Sequence, residues 1–316
     1  MSDIELIILD VDGTLIDDHF RIQPKTKAII RRAVRDGIIV ALATGRNPGG
    51  TLPLMEELGI DGPVIVHNGA FAFDTATGKT YALEAFEHHD FLHLVDFAQH
   101  SGVHYDVNTT FHLYVDRLDV DLEKIYHSFY AKPILVRDWR ELTEPVVKLS
   151  FLGEPPQVER VLPELHETFR HLRILRSGEE YIDIIHPHAS KGHGLKRVAD
   201  SLGIPLHKVM AIGNYYNDID MLEVAGLSVA MANSPYDIQK VADVVTHSNN
   251  DEGIYYAIQA YVYGDRDVKE RLQTGGRLAL KNEDMCNDTH NNTRNNTHND
   301  TRNDMHNDRH NQERSS

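Results

Sequence analysis

Four consecutive apolar residues, Leu6-Ile7-Ile8-Leu9, run straight into Asp10-Val11-Asp12-Gly13-Thr14. An extended segment with no polar position must be covered on both faces, as it is inside a parallel sheet flanked by helices. The two carboxylates then leave the carboxyl end of that strand, where open α/β sheets bind ligands. Side chains two apart on an extended chain point to the same side, and Gly13 lets the chain turn away at once. Such a pair reads as a chemical site, not as solvated aspartates. It is not an EF-hand calcium loop, whose glycine stands sixth where this one stands fourth.

The surrounding segments repeat the same style. The stretch PKTKAIIRRAVRDG predicts a helix with Pro24 in its first turn, Ala28, Ile29, Ala33 and Val34 on one face, and Gly37 as its stop. Apolar runs follow at Ile38–Ala43 and Val64–Val66, with a helix ending near Gly59 between them. Near residues 190–272 the style returns: helix 191–203, strand Val209–Ile212, a helix, strand Leu227–Met231, a helix, then Val244–Val245. Strand–helix–strand spacing means βαβ units. The two blocks, 1–82 and 190–272, are therefore expected to complete one doubly wound parallel sheet. Residues 83–189 read as an α+β insert. Helices near 90–100, 119–130 and 156–170 alternate there with strand-like runs at 104–108, 111–116, 146–152, 172–175 and 181–185, and Ser177-Gly178-Glu179-Glu180 signals a hairpin.

From about Asn282 onward apolar residues nearly vanish and tetrapeptides such as NDTH, NNTR and NNTH recur. Such a segment buries too little apolar surface to order itself, so 282–316 is expected to be a disordered low-complexity tail. Its His290, His298, His306 and His310 could hold metal only weakly. The formal net charge of -16 argues against nucleic-acid or anionic-membrane partners. A lone cysteine, Cys286, allows no intrachain disulfide. No run approaches the roughly 20 apolar residues of a membrane span, and the N-terminal residues lack a signal-peptide pattern. The expectation is a cytoplasmic protein; the oligomeric state is left open.

No G-x-G-x-x-G follows a strand and no G-x-x-x-x-G-K-[ST] is present, so dinucleotide and P-loop sites lack their phosphate cradles. Four other motifs occur in order, each at a strand end or helix start: Asp10-Val11-Asp12-Gly13-Thr14, Thr44-Gly45-Arg46, Lys191-Gly192, and Gly213-Asn214-Tyr215-Tyr216-Asn217-Asp218. His67-Asn68-Gly69-Ala70 and Ala230-Met231-Ala232-Asn233-Ser234 add to them. On these the chain resembles, over residues 4–260, the haloacid dehalogenase (HAD) superfamily of phosphohydrolases. Within it, the chain is similar to the Cof-type (class IIB) sugar-phosphatase-like branch.

The resemblance implies a HAD-like (Rossmannoid) core, an inserted cap of C2B type, and a Mg²⁺-dependent phosphomonoesterase acting on a small phosphorylated metabolite. Asp10 would be the nucleophile and Asp12 the general acid and base. Thr44 would offer its hydroxyl and a neighbouring N–H to the phosphoryl group, and Lys191 the offsetting cation. Gly45, Arg46 and Asn68 join Thr44 and Lys191 as substrate contacts. Asp10, Asp12, Asn214 and Asp218 would hold the metal. The family pattern has an acid where Asn214 stands, which weakens the expected metal site and leaves room for a phospholigand-binding protein with little turnover. A phosphomutase using the same intermediate stays open as well. Lys148, His186 and His188 in the insert read more readily as solvated or core-bonded residues than as specificity contacts, and His88 and His89 as a solvated helix start. Tyr215 and Tyr216 are expected to pack or to line the entrance.

Overall fold

The computed structural model describes residues 3–128, 132–177 and 180–277. The expected tail, with Cys286 and its histidines, lies outside the described residues, as do the hairpin positions 178–179.

The chain forms β1 (Leu6–Leu9), α1 (Pro24–Arg35), β2 (Ile39–Ala43), α2 (Pro48–Leu58), β3 (Pro63–Val66), β4 (Phe71–Asp74) and β5 (Thr80–Leu83). It continues through α3 (His88–Ser101), β6 (His104–Thr109), β7 (Leu113–Val115), α4 (Val120–Ser128), β8 (Ile134–Leu135), β9 (Val146–Leu152), α5 (Pro155–Thr168), β10 (Arg173–Arg176) and β11 (Tyr181–Ile185). It ends with α6 (Lys191–Leu202), β12 (Val209–Gly213), α7 (Ile219–Val224), β13 (Leu227–Ala230), α8 (Tyr236–Val241), β14 (Val244–Val245), α9 (Gly253–Tyr261), α10 (Arg266–Lys269) and β15 (Gln273–Thr274).

β1 lies in the middle of a nine-stranded sheet ordered β15-β14-β13-β12-β1-β2-β3-β4-β5. The strands from β14 to β3 pair in parallel. Successive residues of β1 serve opposite layers. Ile7 and Leu9 pack with Ile29, Ile30 and Ala33 of α1 and Ile254 and Ile258 of α9. Leu6 and Ile8 pack with Leu195 and Val198 of α6 and Met221 and Leu222 of α7. The fold is thus α/β, a parallel sheet sandwiched between helices, as the all-apolar strand requires.

Two local expectations change. The buried face of α1 is Thr26, Ile29, Ile30 and Ala33, while Ala28 and Val34 are exposed. Only the buried set follows the i, i+3, i+4, i+7 spacing of one helical stripe, and Ala28 and Val34 fall outside it. The sheet also gains antiparallel strands, β4 and β5 on one edge and β15 on the other. The β3–β4 reversal is made by His67 and Asn68, both with left-handed backbone (φ 52° and 54°), a conformation asparagine tolerates better than most residues.

A second sheet, ordered β10-β11-β9-β6-β7-β8, arises from residues between β5 and α6. Its pleat sorts side chains by parity. Tyr105, Val107, Leu149, Phe151, Ile182 and Ile184 face the helices α3 and α5, packing on Phe91, Leu94, Val161 and Phe169. Asp106, Asn108, Lys148, Ser150 and Asp183 alternate with them and turn to the other face, which overlooks the carboxyl ends of β1 and β2. No helix among the described residues is long and apolar enough to cross a membrane.

Ile8, fully buried in the middle of β1, should be costly to truncate. Ile8→Ala is expected to lower unfolding free energy by about 3 kcal/mol, read from urea denaturation at unchanged slope. A loss under about 1 kcal/mol would mean the strand is not the centre of the fold.

Candidate active site

The β1 ladder continues into the site through Asp10 N–H, which donates to Ile212 O (2.9 Å). Gly13 follows at φ 75°, and a Cβ there would meet the Asn214 side chain at 2.4 Å, so the turn after β1 can lie against the loop after β12 only without one. Asn233 secures the same turn by donating to Gly13 O (2.9 Å).

Under this turn lies a buried ionic cluster. Ser190 caps α6, its hydroxyl accepting from His193 N–H (3.0 Å), and this fixes Lys191 in the first helical turn. Gly69, at φ 90°, packs against Ser190 O so closely that a Cβ would lie 1.9 Å away. The Lys191 ammonium, with its side chain 1% exposed, bonds Asp10 Oδ1 and Asp218 Oδ1, each at 2.6 Å. Burial alone would lower the Lys191 pKa, but the two carboxylates outweigh it and hold the ammonium charged. Asp10 shifts upward, to about 7, because burial and then the neighbouring Asp218 charge outweigh Lys191.

Each predicted site residue has a definite place around this cluster. Asp10, Asp12, Thr44, Gly45, Arg46, Asn68 and Asn214 all line one cavity of about 500 Å³ between the two sheets. Arg46 grips Asp12 at the rim, Nε to Oδ2 (2.8 Å) and Nη2 to Oδ1 (2.6 Å), and also reaches Gly50 O. Its guanidinium is bound to Asp12, and Arg46 itself lines the cavity. Thr44 N–H donates to Ile65 O (2.9 Å), and Arg46 N–H donates to Thr44 Oγ1 (3.1 Å). The hydroxyl proton is therefore what Thr44 has to offer a ligand. Lys191 sits beneath the cavity wall, with Asp10 between it and the opening.

Asp218, expected among the metal ligands, is wholly buried and does not itself line the cavity. Oδ1 accepts from Lys191, and Oδ2 accepts the Asn214 and Tyr215 N–H groups at 2.8 and 3.0 Å. Both oxygens are committed to shaping the loop and anchoring Lys191. Tyr215 lines the cavity with its ring half exposed, and Tyr216 stacks edge-on beside it.

The Asn214 side chain points into a nest of oxygens. One of its terminal atoms lies 3.0 Å from Asp10 Oδ2, 3.0 Å from Asp12 O and 3.2 Å from Thr14 Oγ1. Turned with nitrogen inward, the amide's two hydrogens find acceptors among the three. Turned with oxygen inward, it accepts from the Thr14 hydroxyl (3.2 Å), while a carboxylate, a carbonyl and an amide oxygen converge, and a cation or a proton on Asp10 reconciles them. Hard oxygen donors of this kind suit Mg²⁺, so Asp10, the Asp12 carbonyl and Asn214 fit such an ion. An acid at position 214 could not satisfy the same nest without a metal or a proton.

The far wall comes from residues that the sequence signalled only as polar interruptions at alternate strand positions: Asp106, Asn108, Ser150 and Asp183. Ser150 donates to Asp183 Oδ1 (2.7 Å), and Asn108 to Asp106 Oδ1 (2.6 Å). Burial raises Asp106 to about 6, with Lys148 opposing. Contacts that cross to the core at the cavity include Lys148 Nζ donating to Gly45 O (3.2 Å) and Asn68 Nδ2 donating to Asp183 Oδ2 (3.2 Å). Lys148 therefore belongs to the cavity, whereas His186 and His188 do not line it. His67, buried and held neutral by burial at about 3, reaches Thr110 O (3.3 Å) beside these contacts.

The upward shift of Asp10 has a thermodynamic sign. Because the folded value lies above the ordinary 3.8, Asp10 favours the native state at low pH, and that advantage is lost as pH rises towards 7. In EDTA, Asp10→Asn should gain on wild type as pH rises from 5 to 8, its Tm advantage growing by about 2–4 °C, the shift ~1 kcal/mol produces in a chain this size. A lower Tm for the variant at pH 8 would mean Lys191 needs both charges.

The geometry has counterparts among known proteins. A family profile described as haloacid dehalogenase-like hydrolase matches residues 7–258. Phosphatase YwpJ of Bacillus subtilis is 29% identical over 81% of this chain and 99% of its own. From the same organism, 5-amino-6-(5-phospho-D-ribitylamino)uracil phosphatase YcsE is 28% identical over 82% of this chain and 96% of its own. A solved haloacid dehalogenase-like hydrolase from Bacteroides thetaiotaomicron superposes with a TM-score of 0.75 at 25% identity, covering 81% of this chain and 98% of that one. With a matched profile spanning most of the chain and phosphatases among its full-length relatives, the protein belongs to the haloacid dehalogenase-like hydrolases and is a phosphatase of that family.

Proposed function

We propose that the protein is a Mg²⁺-dependent phosphomonoesterase that hydrolyses a small phosphorylated metabolite, a sugar phosphate or similar, through an aspartyl-phosphate on Asp10. The carrying observation is the asymmetry of Asp10: Lys191 holds Oδ1 from below, while Oδ2 lies on the side of Asp12 and Asn214. Asp10 Oδ2 attacks phosphorus as the ester P–O bond breaks, and Asp12 gives its proton to the departing alkoxide. Asp12 then takes a proton from the water that splits the acyl phosphate, releasing inorganic phosphate and restoring Asp10. Arg46 orients the Asp12 carboxylate through both steps, and the Thr44 hydroxyl donates to a phosphoryl oxygen. Bound Mg²⁺ supplies Lewis-acid neutralisation of the phosphoryl charge, held by Asp10, the Asp12 carbonyl and Asn214.

The opposite wall supports the substrate class. Asp106, Asn108, Ser150 and Asp183 offer mostly acceptors and amides, which suit a leaving group rich in hydroxyls better than a second anion. The substrate in the name of YcsE, a phosphorylated ribityl compound, has that character.

Phosphate release from a panel of phosphorylated metabolites, with and without Mg²⁺, tests the reading. Wild type should turn over hydroxyl-rich monoesters only with the metal, and Asp10→Asn should lose at least about 10³-fold in kcat. Equal, negligible rates for both proteins, or an isomerised sugar phosphate in place of inorganic phosphate, would overturn it. A Mg²⁺ titration addresses Asn214 separately. Asn214→Asp adds a charge beside the ion and should lower the half-activating Mg²⁺ concentration at least about fivefold. It should also lower the Tm in EDTA, because the amide donor is gone. An unchanged Mg²⁺ requirement means Asn214 is no ligand.

A further inference from the structure

The chain passes between the two sheets twice, and both passages carry metal-ligating side chains. Glu84 follows β5 on the outward passage, its N–H held by Ala70 O (2.7 Å). His186 and His188 follow β11 on the return, just before Ser190 caps α6. One ligand atom each from Glu84, His186 and His188 lie within 4.8 Å of one another. His193, on the first turn of α6, points Nε2 at Glu84 Oε1 (3.0 Å) without hydrogen-bond geometry, and that nitrogen has no hydrogen-bond partner among the described residues.

The contacts within the cluster leave lone pairs facing one another. His188 N–H donates to His186 Nδ1 (3.3 Å), so that nitrogen presents its lone pair, yet it also faces Glu84 Oε2 at 3.3 Å. A ring nitrogen already accepting cannot donate to the carboxylate. Either a proton on Nδ1 or a cation shared with Glu84 reconciles the pair, and a cation would take the Nδ1 lone pair in place of the His188 N–H. Ligands of a tetrahedral Zn²⁺ stand ~3.4 Å apart, and His188, exposed and packed edge-on to His186 (5.0 Å between centroids), can close the remaining distance by side-chain rotation.

We propose that Glu84, His186 and His188 form a second metal site, selective for a borderline divalent cation such as Zn²⁺, with His193 or water in the fourth position. Two imidazoles and a carboxylate favour that class over Mg²⁺, which prefers oxygen donors. The site is separate from the cleft, because none of the four residues lines the cavity. Its placement gives it a mechanical role: an ion there ties the outward passage, the return passage and the helix carrying Lys191 into one unit, restricting movement of one sheet against the other.

The test uses the full chain with saturating Mg²⁺ and Co²⁺ as a spectroscopic probe, comparing wild type with His188→Gln. The tail histidines are common to both and cancel. Wild type should bind one Co²⁺ more than the variant, with the intense visible bands of a four-coordinate site that Zn²⁺ abolishes. His188 is exposed, so the variant should keep its circular dichroism and its rate of phosphate release. Glu84→Gln should lose the same equivalent. Equal stoichiometry and spectra in wild type and His188→Gln would overturn the proposal. So would loss of the extra ion in Asp10→Asn, which would assign it to the cleft.

Discussion

One ammonium group between two carboxylates organises the site. Lys191 bonds Asp10 and Asp218 at 2.6 Å each and is almost wholly out of water. Burial and then the Asp218 charge raise Asp10, and the one uncompensated negative charge makes the end of β1 a place where added positive charge is favourable. Removing Lys191 would leave both buried carboxylates unpaired, commonly at a cost of about 3–5 kcal/mol. The three residues come from the end of β1, the start of α6 and the loop after β12, so the cluster also joins segments far apart in sequence. Asp218 then passes the order on by accepting two N–H groups of its own loop.

The second sheet completes the site by pleat alone. Each of β6, β9 and β11 gives alternate residues to a helix-covered core and to the cavity. Hydrophobic burial on one face therefore fixes which polar groups meet a ligand on the other. The contacts between the insert and the core are both polar, Lys148 to Gly45, Asn68 to Asp183 and Arg173 to Asp220, and apolar, Phe111 against Phe71 and Phe73 and Val147 and Ile185 packed on Ala70.

Asn214 distinguishes this cleft from one with an acid in its place. An amide can satisfy the surrounding oxygens itself or yield them to a cation. The protein thereby gains stability without the ion and gives up electrostatic attraction for it.

Much of this was legible in the residues. The unbroken apolar run Leu6–Leu9 dictated a strand covered on both sides, and D-x-D-G-T, T-G-R, the helix-starting lysine and the G-N-Y-Y-N-D loop marked where chemistry sits, because each joins a strand end or helix start. The family followed from their order. The expected α1 face included Ala28 and Val34, although only Thr26, Ile29, Ile30 and Ala33 follow the helical repeat, and the apolar runs gave no sign of the short strands β4, β5 and β15. Only the tertiary structure decided that both oxygens of Asp218 are spent on Lys191 and the loop amides, that Arg46 holds Asp12, and that Lys148 reaches Gly45. The reason is physical: a sequence states which polar groups exist, whereas their partners depend on distances below 3.5 Å between residues 27 positions apart for Lys191 and Asp218, 34 for Arg46 and Asp12 and 103 for Lys148 and Gly45, and those distances exist only once the sheets have packed.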